Sequence, residues 1–135
     1  TLFSRLLNQP RWATKIFEDA ELHLAEQEVV LDLVKFLPYG EAFVSGATMI
    51  SLAGEKGDLA GNRTLNFLHT NLRLIPEEWK IFALIFPGTI WIDGRDNRNC
   101  IEHLVWGGGY WHKDDRWIGD NFGSGCRVVR IRKAT

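Results

Sequence analysis

The stretch Leu104-Val105-Trp106-Gly107-Gly108-Gly109-Tyr110-Trp111 decides how this chain is read. An apolar run, three glycines and a pair of aromatics spell a strand, a tight reversal and the start of a returning strand. Residues without a Cβ take positive φ at little steric cost, so three in a row permit the reversal. The first strand reaches back to Cys100, giving Cys100–Trp106. Tyr110-Trp111 opens a short strand, and the polar run His112-Lys113-Asp114-Asp115-Arg116 then fills the gap to Trp117. The connection from Trp111 to Arg127 reads as a long loop, and such loops tend to carry function.

Outward from this hairpin the second half stays strand-like. Ile81–Phe86 is an unbroken apolar run of strand length, Pro87-Gly88 a turn signal, Thr89–Ile92 another strand and Asp93-Gly94 another turn. The last strand is Arg127–Arg132, with Val129 and Ile131 on one side and Val128, Arg130 and Arg132 on the other. The first half reads as short helices. Pro10 starts one that runs through Trp12, Ile16 and Phe17. In Glu26–Leu37 the residues Val29, Val30, Leu33, Val34 and Leu37 form one helical stripe that Pro38 ends. Ser45 caps a third helix, and a fourth follows Gly61 with Leu65, Leu68 and Leu72 on one face. Pro76-Glu77-Glu78-Trp79 is a helical turn. The expectation is one α+β domain over residues 1–135. Its helical half is 1–78 and its strand-rich half 79–135, with short helices packed on a small, twisted, mostly antiparallel sheet.

Composition bounds the function. The chain has 135 residues, 45% hydrophobic and 24% charged, which suits one globular core rather than a disordered segment. The net charge of −1 argues against general nucleic-acid or membrane-surface binding. The charge is nevertheless uneven, with 7 basic and 11 acidic side chains in 1–78 and 9 basic and 6 acidic in 79–135. No apolar run is long enough to span a bilayer and no signal-peptide pattern opens the chain, so a soluble domain of unassigned location is expected. Two cysteines, Cys100 and Cys126, are too few for a disulfide framework or a Cys-only zinc site, although geometry could allow one bridge.

Leu104–Trp111 resembles the "LRGGSW" strand pair of C-type-lectin-like domains in the branch that includes the formylglycine-generating enzymes. Ser124-Gly125-Cys126-Arg127-Val128-Val129-Arg130 resembles that branch's closing strand. A more extended pattern comprises Ile75-Pro76-Glu77-Glu78-Trp79-Lys80, Phe86-Pro87-Gly88-Thr89-Ile90-Trp91, Leu104-Val105-Trp106 and Trp117-Ile118-Gly119-Asp120-Asn121-Phe122. It is similar to variable proteins of diversity-generating retroelements from uncultivated archaea and small-genome bacteria. Val105 stands where that pattern has Tyr, and Gly119 where it has Asp. The resemblance implies a C-type-lectin-like scaffold whose ligand-binding face is rewritten by adenine-directed mutagenesis. The partner would be a protein or a glycan, with no catalysis and no cofactor or metal.

Such a face needs a fixed frame and tolerant positions. Buried tryptophan suits the frame, since truncating it costs on the order of 3 kcal/mol or more, and its codon contains no adenine. Trp91, Trp106, Trp111 and Trp117 are the expected frame. The expected variable residues are Asp96, Arg98, Cys100, His103, Tyr110, His112, Asp114, Asp115, Arg116, Gly123, Gly125 and Cys126. Asn codons changed at their first two bases yield His, Asp, Arg, Gly, Cys or Tyr, but never Lys or Glu. Lys113 and Glu102 therefore fall outside that set.

Two other classes compete. A small metal- or Cys-dependent enzyme would draw on Cys100 and Cys126 or on His103, His112, Asp114 and Asp115, but no spacing there resembles a metal motif. Asp114-Asp115 and Asp120-Asn121 supply oxygens without a lectin-type calcium signature. A nucleic-acid module would use Arg127, Arg130, Arg132 and Lys133, yet salt pairs with Glu26, Glu28 and Asp32 would explain these cations equally well. His23 and His69 read as surface or boundary residues. Ser4, Ser45 and Ser51 lack a nucleophile context, and Gly107–Gly109 precedes aromatics rather than a phosphate-binding helix.

Overall fold

The computed structural model describes residues 7–21 and 29–133. The main sheet contains seven of the described strands: β1 (Ala13–Asp19), β2 (Val29–Val34), β4 (Asp58–Leu59), β5 (Ala83–Asp93), β6 (Asn99–Gly107), β7 (Tyr110–Trp117) and β9 (Cys126–Lys133). Its path runs β2-β9-β5-β6-β7, with β1 on β5 and β4 on β9. The β5–β9 pairing is parallel and the others are antiparallel. The short strands β3 (Phe43–Ser45) and β8 (Asn121–Gly123) form a separate ribbon. Among the described residues two α-helices complete the α+β fold, α1 (Gly46–Gly54) and α2 (Asn62–Thr70).

Both helices lie where capping and periodicity placed them, but α2 ends at Thr70, so Leu72 falls in a following 3-10 turn and is exposed rather than on the buried helix face. The Ser45 hydroxyl accepts from the Thr48 N–H and caps α1. Leu65 and Leu68 of α2 are buried against Leu84, Phe86, Leu104, Trp111, Val129 and Ile131. The opposite face of the sheet buries Ile85, Ile101 and Val128 with Met49, Ala53 and Phe122. Val128 and Val129 thus enter different cores, as alternation along a strand requires. The turn at Pro76–Trp79 is a 3-10 helix over Glu77–Ile81.

Among the described residues the first half is not mainly helical. Pro10 leads into β1, and the expected helix over 26–37 is replaced from Val29 to Val34 by β2; residues 26–28 lie outside the described part. Along β2, Val29, Leu31 and Leu33 face one core and Val34 the other, which is a period of two. Asp32 is fixed by Arg130 and Arg132 of the neighbouring β9, at 2.6 and 2.9 Å. The period-two burial and this cross-strand ion pair outweigh the helical spacing of the same apolar residues.

Pro87-Gly88 is not a turn but an irregular segment inside the single strand β5. Phe86 pairs with Glu102 and Trp91 with Cys100, so five residues of β5 advance against two of β6. Here another backbone comes close. The Gly88 N–H donates to the Ala60 carbonyl at 2.7 Å, and a Cβ on Gly88 would lie 2.4 Å from Leu59 O. A Cβ on Gly61 would likewise lie 2.6 Å from Thr89 N. Two glycines therefore seat the start of α2 directly on β5.

Candidate functional site

The β6–β7 hairpin carries the candidate site. Gly108 and Gly109 turn it with φ of +61° and +89°. Its register pairs Trp106 with Trp111, Leu104 with Lys113, Glu102 with Asp115 and Cys100 with Trp117 on one face. The other face carries Gly107 with Tyr110, Val105 with His112, His103 with Asp114 and Ile101 with Arg116. The expected loop after Trp111 is therefore an eight-residue strand, with the run His112–Arg116 inside it. Charge on this strand fits its position at the sheet edge, where polar side chains discourage pairing with other chains.

The hairpin brings His103, Tyr110, His112, Asp114 and Arg116 onto one face. Tyr110 is 57% exposed, His112 and Asp114 are exposed, and Trp111 between them is buried. The His112 ring lies 3.9 Å from that of Tyr110, and its Nε2 donates to the Gly107 carbonyl at 2.8 Å. Arg116 is held differently. Its guanidinium lies 3.9 Å from the Phe122 ring centroid, donates to the Asn121 carbonyl and reaches Cys126 Sγ at 3.6 Å. It thereby ties β7 to β8 and β9. His103 is half-buried, and its Nδ1 is enclosed with no hydrogen-bond partner among the described residues. Burial holds its pKa below the ordinary histidine value; Asp114 opposes that shift and Arg116 adds to it.

The remaining expected residues lie elsewhere. Asp96 and Arg98 sit in the β5–β6 turn, bonded to each other at 2.8 Å, with Arg98 stacked 4.4 Å from the Trp117 centroid. Trp117 is itself 38% exposed, so it is a surface platform rather than a buried frame residue. Cys100 and Asp115 face away from Tyr110 and meet Asp93, whose carboxylate Arg95 grips from the same turn. Arg95 holds the Asp93 pKa well below the usual carboxylate range, whereas burial pushes the Cys100 thiol up to about 11. Gly123 lies in β8. Gly125 accepts from Ala83 N–H at 2.9 Å, and a Cβ on it would meet open space. Cys126 is buried, and both thiols are free, so no disulfide joins them.

Next to the hairpin turn lies a cleft of about 380 Å³ lined by Leu72, Arg73, Ile75, Glu77, Lys80, Trp106, Gly109, Tyr110 and Trp111. The Lys80 ammonium sits 3.7 Å from the Trp106 centroid and 2.9 Å from Glu77. In the sequence Glu77 and Lys80 stand only in a turn motif, because the 3-10 turn and hairpin meet only in three dimensions. Sequence reasoning also passed over a buried polar network. Glu102 Oε1 accepts from Asn62 Nδ2 at 2.8 Å and from Trp91 Nε1 at 2.9 Å. Glu21 accepts from the backbone of Gly61, Arg63 and Thr64 and caps α2 from 40 residues away. A carboxylate at position 102, between Ile101 and Leu104, was the available signal.

The basic closing strand is engaged in structural contacts. Arg130 and Arg132 pair with Asp32, and Arg127 donates to the Ser124 carbonyl while lying 4.2 Å from the Phe82 centroid. Among the described residues no helix is long and apolar enough to cross a membrane. Comparison with known protein families, with characterised proteins and with solved structures returns no match for this chain.

Proposed function

We propose that the chain is a non-catalytic recognition protein of C-type-lectin-like type, a variable protein of a diversity-generating retroelement. Its binding surface is the outer face of the β6–β7 hairpin with the adjoining cleft, and its ligand is a protein or a glycan. The single observation that carries this reading is the placement of exposed residues around one buried anchor in β7. Tyr110, His112 and Asp114 stand exposed on one face, while Trp111 is buried beneath them. A rigid strand with a buried aromatic anchor lets exposed neighbours differ with little effect on the fold. Tyr offers large contact area with few rotatable bonds, and His and Asp supply donors and acceptors.

The geometry also divides the expected variable residues. Tyr110, His112, Asp114 and Gly125 are exposed, as are Asp96 and Arg98 in the neighbouring turn. Cys100 and Cys126 are buried, and Arg116 is locked across three strands, which suits supporting roles. Sequencing the locus tests the reading. A template repeat beside a reverse-transcriptase gene should differ from this gene's 3′ end at adenines, with the differences falling on the exposed codons. A locus without that repeat, or with substitutions spread equally over buried codons, overturns it.

A further inference from the structure

The β5–β6 turn closes over a second arrangement, on the face of the hairpin opposite Tyr110. One carboxylate oxygen each of Asp93 and Asp115 and the Cys100 sulfur lie within 4.8 Å of one another. Asp93 ends β5, Cys100 is the second residue of β6 and Asp115 lies in β7, so three adjacent strands supply one donor each. The thiol is 3% exposed, is not disulfide-bonded and has no hydrogen bond among the described residues. The cation now beside the carboxylates is Arg95. Its guanidinium bonds both oxygens of Asp93 and reaches Asp115 at 3.5 Å, yet its side chain is 67% exposed and hangs from a turn. It can leave without disturbing the core.

We propose that Asp93, Cys100 and Asp115 form a site for a borderline-soft divalent cation, zinc in kind, which displaces Arg95. A sulfur with two carboxylate oxygens is a three-residue donor set for zinc, and a fourth position is left to water on the Arg95 side. Tetrahedral zinc separates its ligands by roughly 3.3–3.6 Å, so donors within 4.8 Å of one another need to close by about 1.5 Å at most. Asp115 can make that movement because its strand is the sheet edge. Binding turns the Cys100 thiol into a thiolate and releases its proton to solvent. A calcium site is the wrong chemistry here, since sulfur is a poor ligand for a hard cation. The ion would pin the β5–β6 turn, with Asp96 and Arg98, against β7.

The test is titration of the whole chain with Co²⁺ and Zn²⁺, comparing the wild type with Cys100→Ala, Asp115→Asn and Arg95→Ala. Co²⁺ should give a thiolate-to-metal charge-transfer absorption that Zn²⁺ abolishes. Cys100→Ala should remove the absorption, and Asp115→Asn, at an edge-strand position whose side chain is 20% exposed, should weaken binding about tenfold or more. Arg95→Ala should tighten binding, because it removes the competing cation. Absence of the charge-transfer absorption in the wild type overturns the proposal. So does Zn²⁺ affinity that is the same in wild type and Asp115→Asn.

Discussion

The indole nitrogen of Trp91 donates to Glu102 Oε1 at 2.9 Å, with both side chains almost wholly buried. Asn62 of α2 donates to the same oxygen at 2.8 Å, so one carboxylate joins β5, β6 and α2 beneath the β6–β7 hairpin. Burial raises the Glu102 pKa, and these two donors oppose that rise. Trp91→Phe keeps most of the apolar volume but removes one donor. It should destabilise by about 1–3 kcal/mol, the cost of losing one of the two hydrogen bonds to this buried carboxylate oxygen. Chemical denaturation of the variant checks this.

Glu21 supplies the N-terminal cap that Gly61 cannot. Its carboxylate accepts from three successive-turn amides, Gly61, Arg63 and Thr64, and from the Thr64 hydroxyl at 2.7 Å. A negative charge at that helix end also meets the positive end of its dipole. Glu21→Ala removes the carboxylate that accepts from these buried donors and should cost about 3 kcal/mol or more. Hydrogen exchange should speed up first at the amides of Arg63 and Thr64.

Arg116 and Asp114 are two residues apart on one face but differ in what holds them. Arg116→Ala loses the Phe122 stack and the bond to Asn121 and should destabilise by about 1–2 kcal/mol. Asp114→Ala touches an exposed side chain and should stay within about 0.5 kcal/mol of the wild type. Thermal melts of the two variants, side by side, check the contrast.

His103 gives the face a pH dependence. Burial depresses its folded-state pKa below the ordinary 6.5, so the unfolded chain takes up a proton first as pH falls. Its contribution to stability is present above pH 6.5 and is lost as pH drops from there toward the folded-state pKa. His103→Gln should flatten the stability profile in that window and leave the slope near pH 8 unchanged. Urea midpoints across pH 5 to 8 are the readout.

Much of the second half was legible because its signals are local. The Gly107–Gly109 reversal, the Cys100–Trp106 strand and the alternating Val128-Val129 pair need only neighbouring residues. Ser45 and the Leu65/Leu68 spacing marked the two helices for the same reason. Val29–Val34 was not legible, because its apolar residues satisfy a helical stripe and a two-sided strand alike; Arg130 and Arg132, about a hundred residues on, decide it. Pro87-Gly88 misled because a glycine needed for close backbone approach has the composition of a turn. In the candidate site, the hairpin face of His103, Tyr110, His112 and Asp114 follows from one register. The division between exposed Asp114 and anchored Arg116 does not, since Phe122 and Cys126 reach Arg116 only through the β8–β9 fold.

The most direct test of the central claim is a displayed library in which Tyr110, His112 and Asp114 are randomised together. A matched library randomises Trp91, Trp111 and Phe122, which are buried. Both are sorted first for folded protein and then for binding to a panel of proteins and glycans. The account expects most members of the first library to fold and different members to bind different ligands, while few of the second fold at all. Equal loss of folding in the two libraries, or a folded first library whose members share one binding profile, would contradict it.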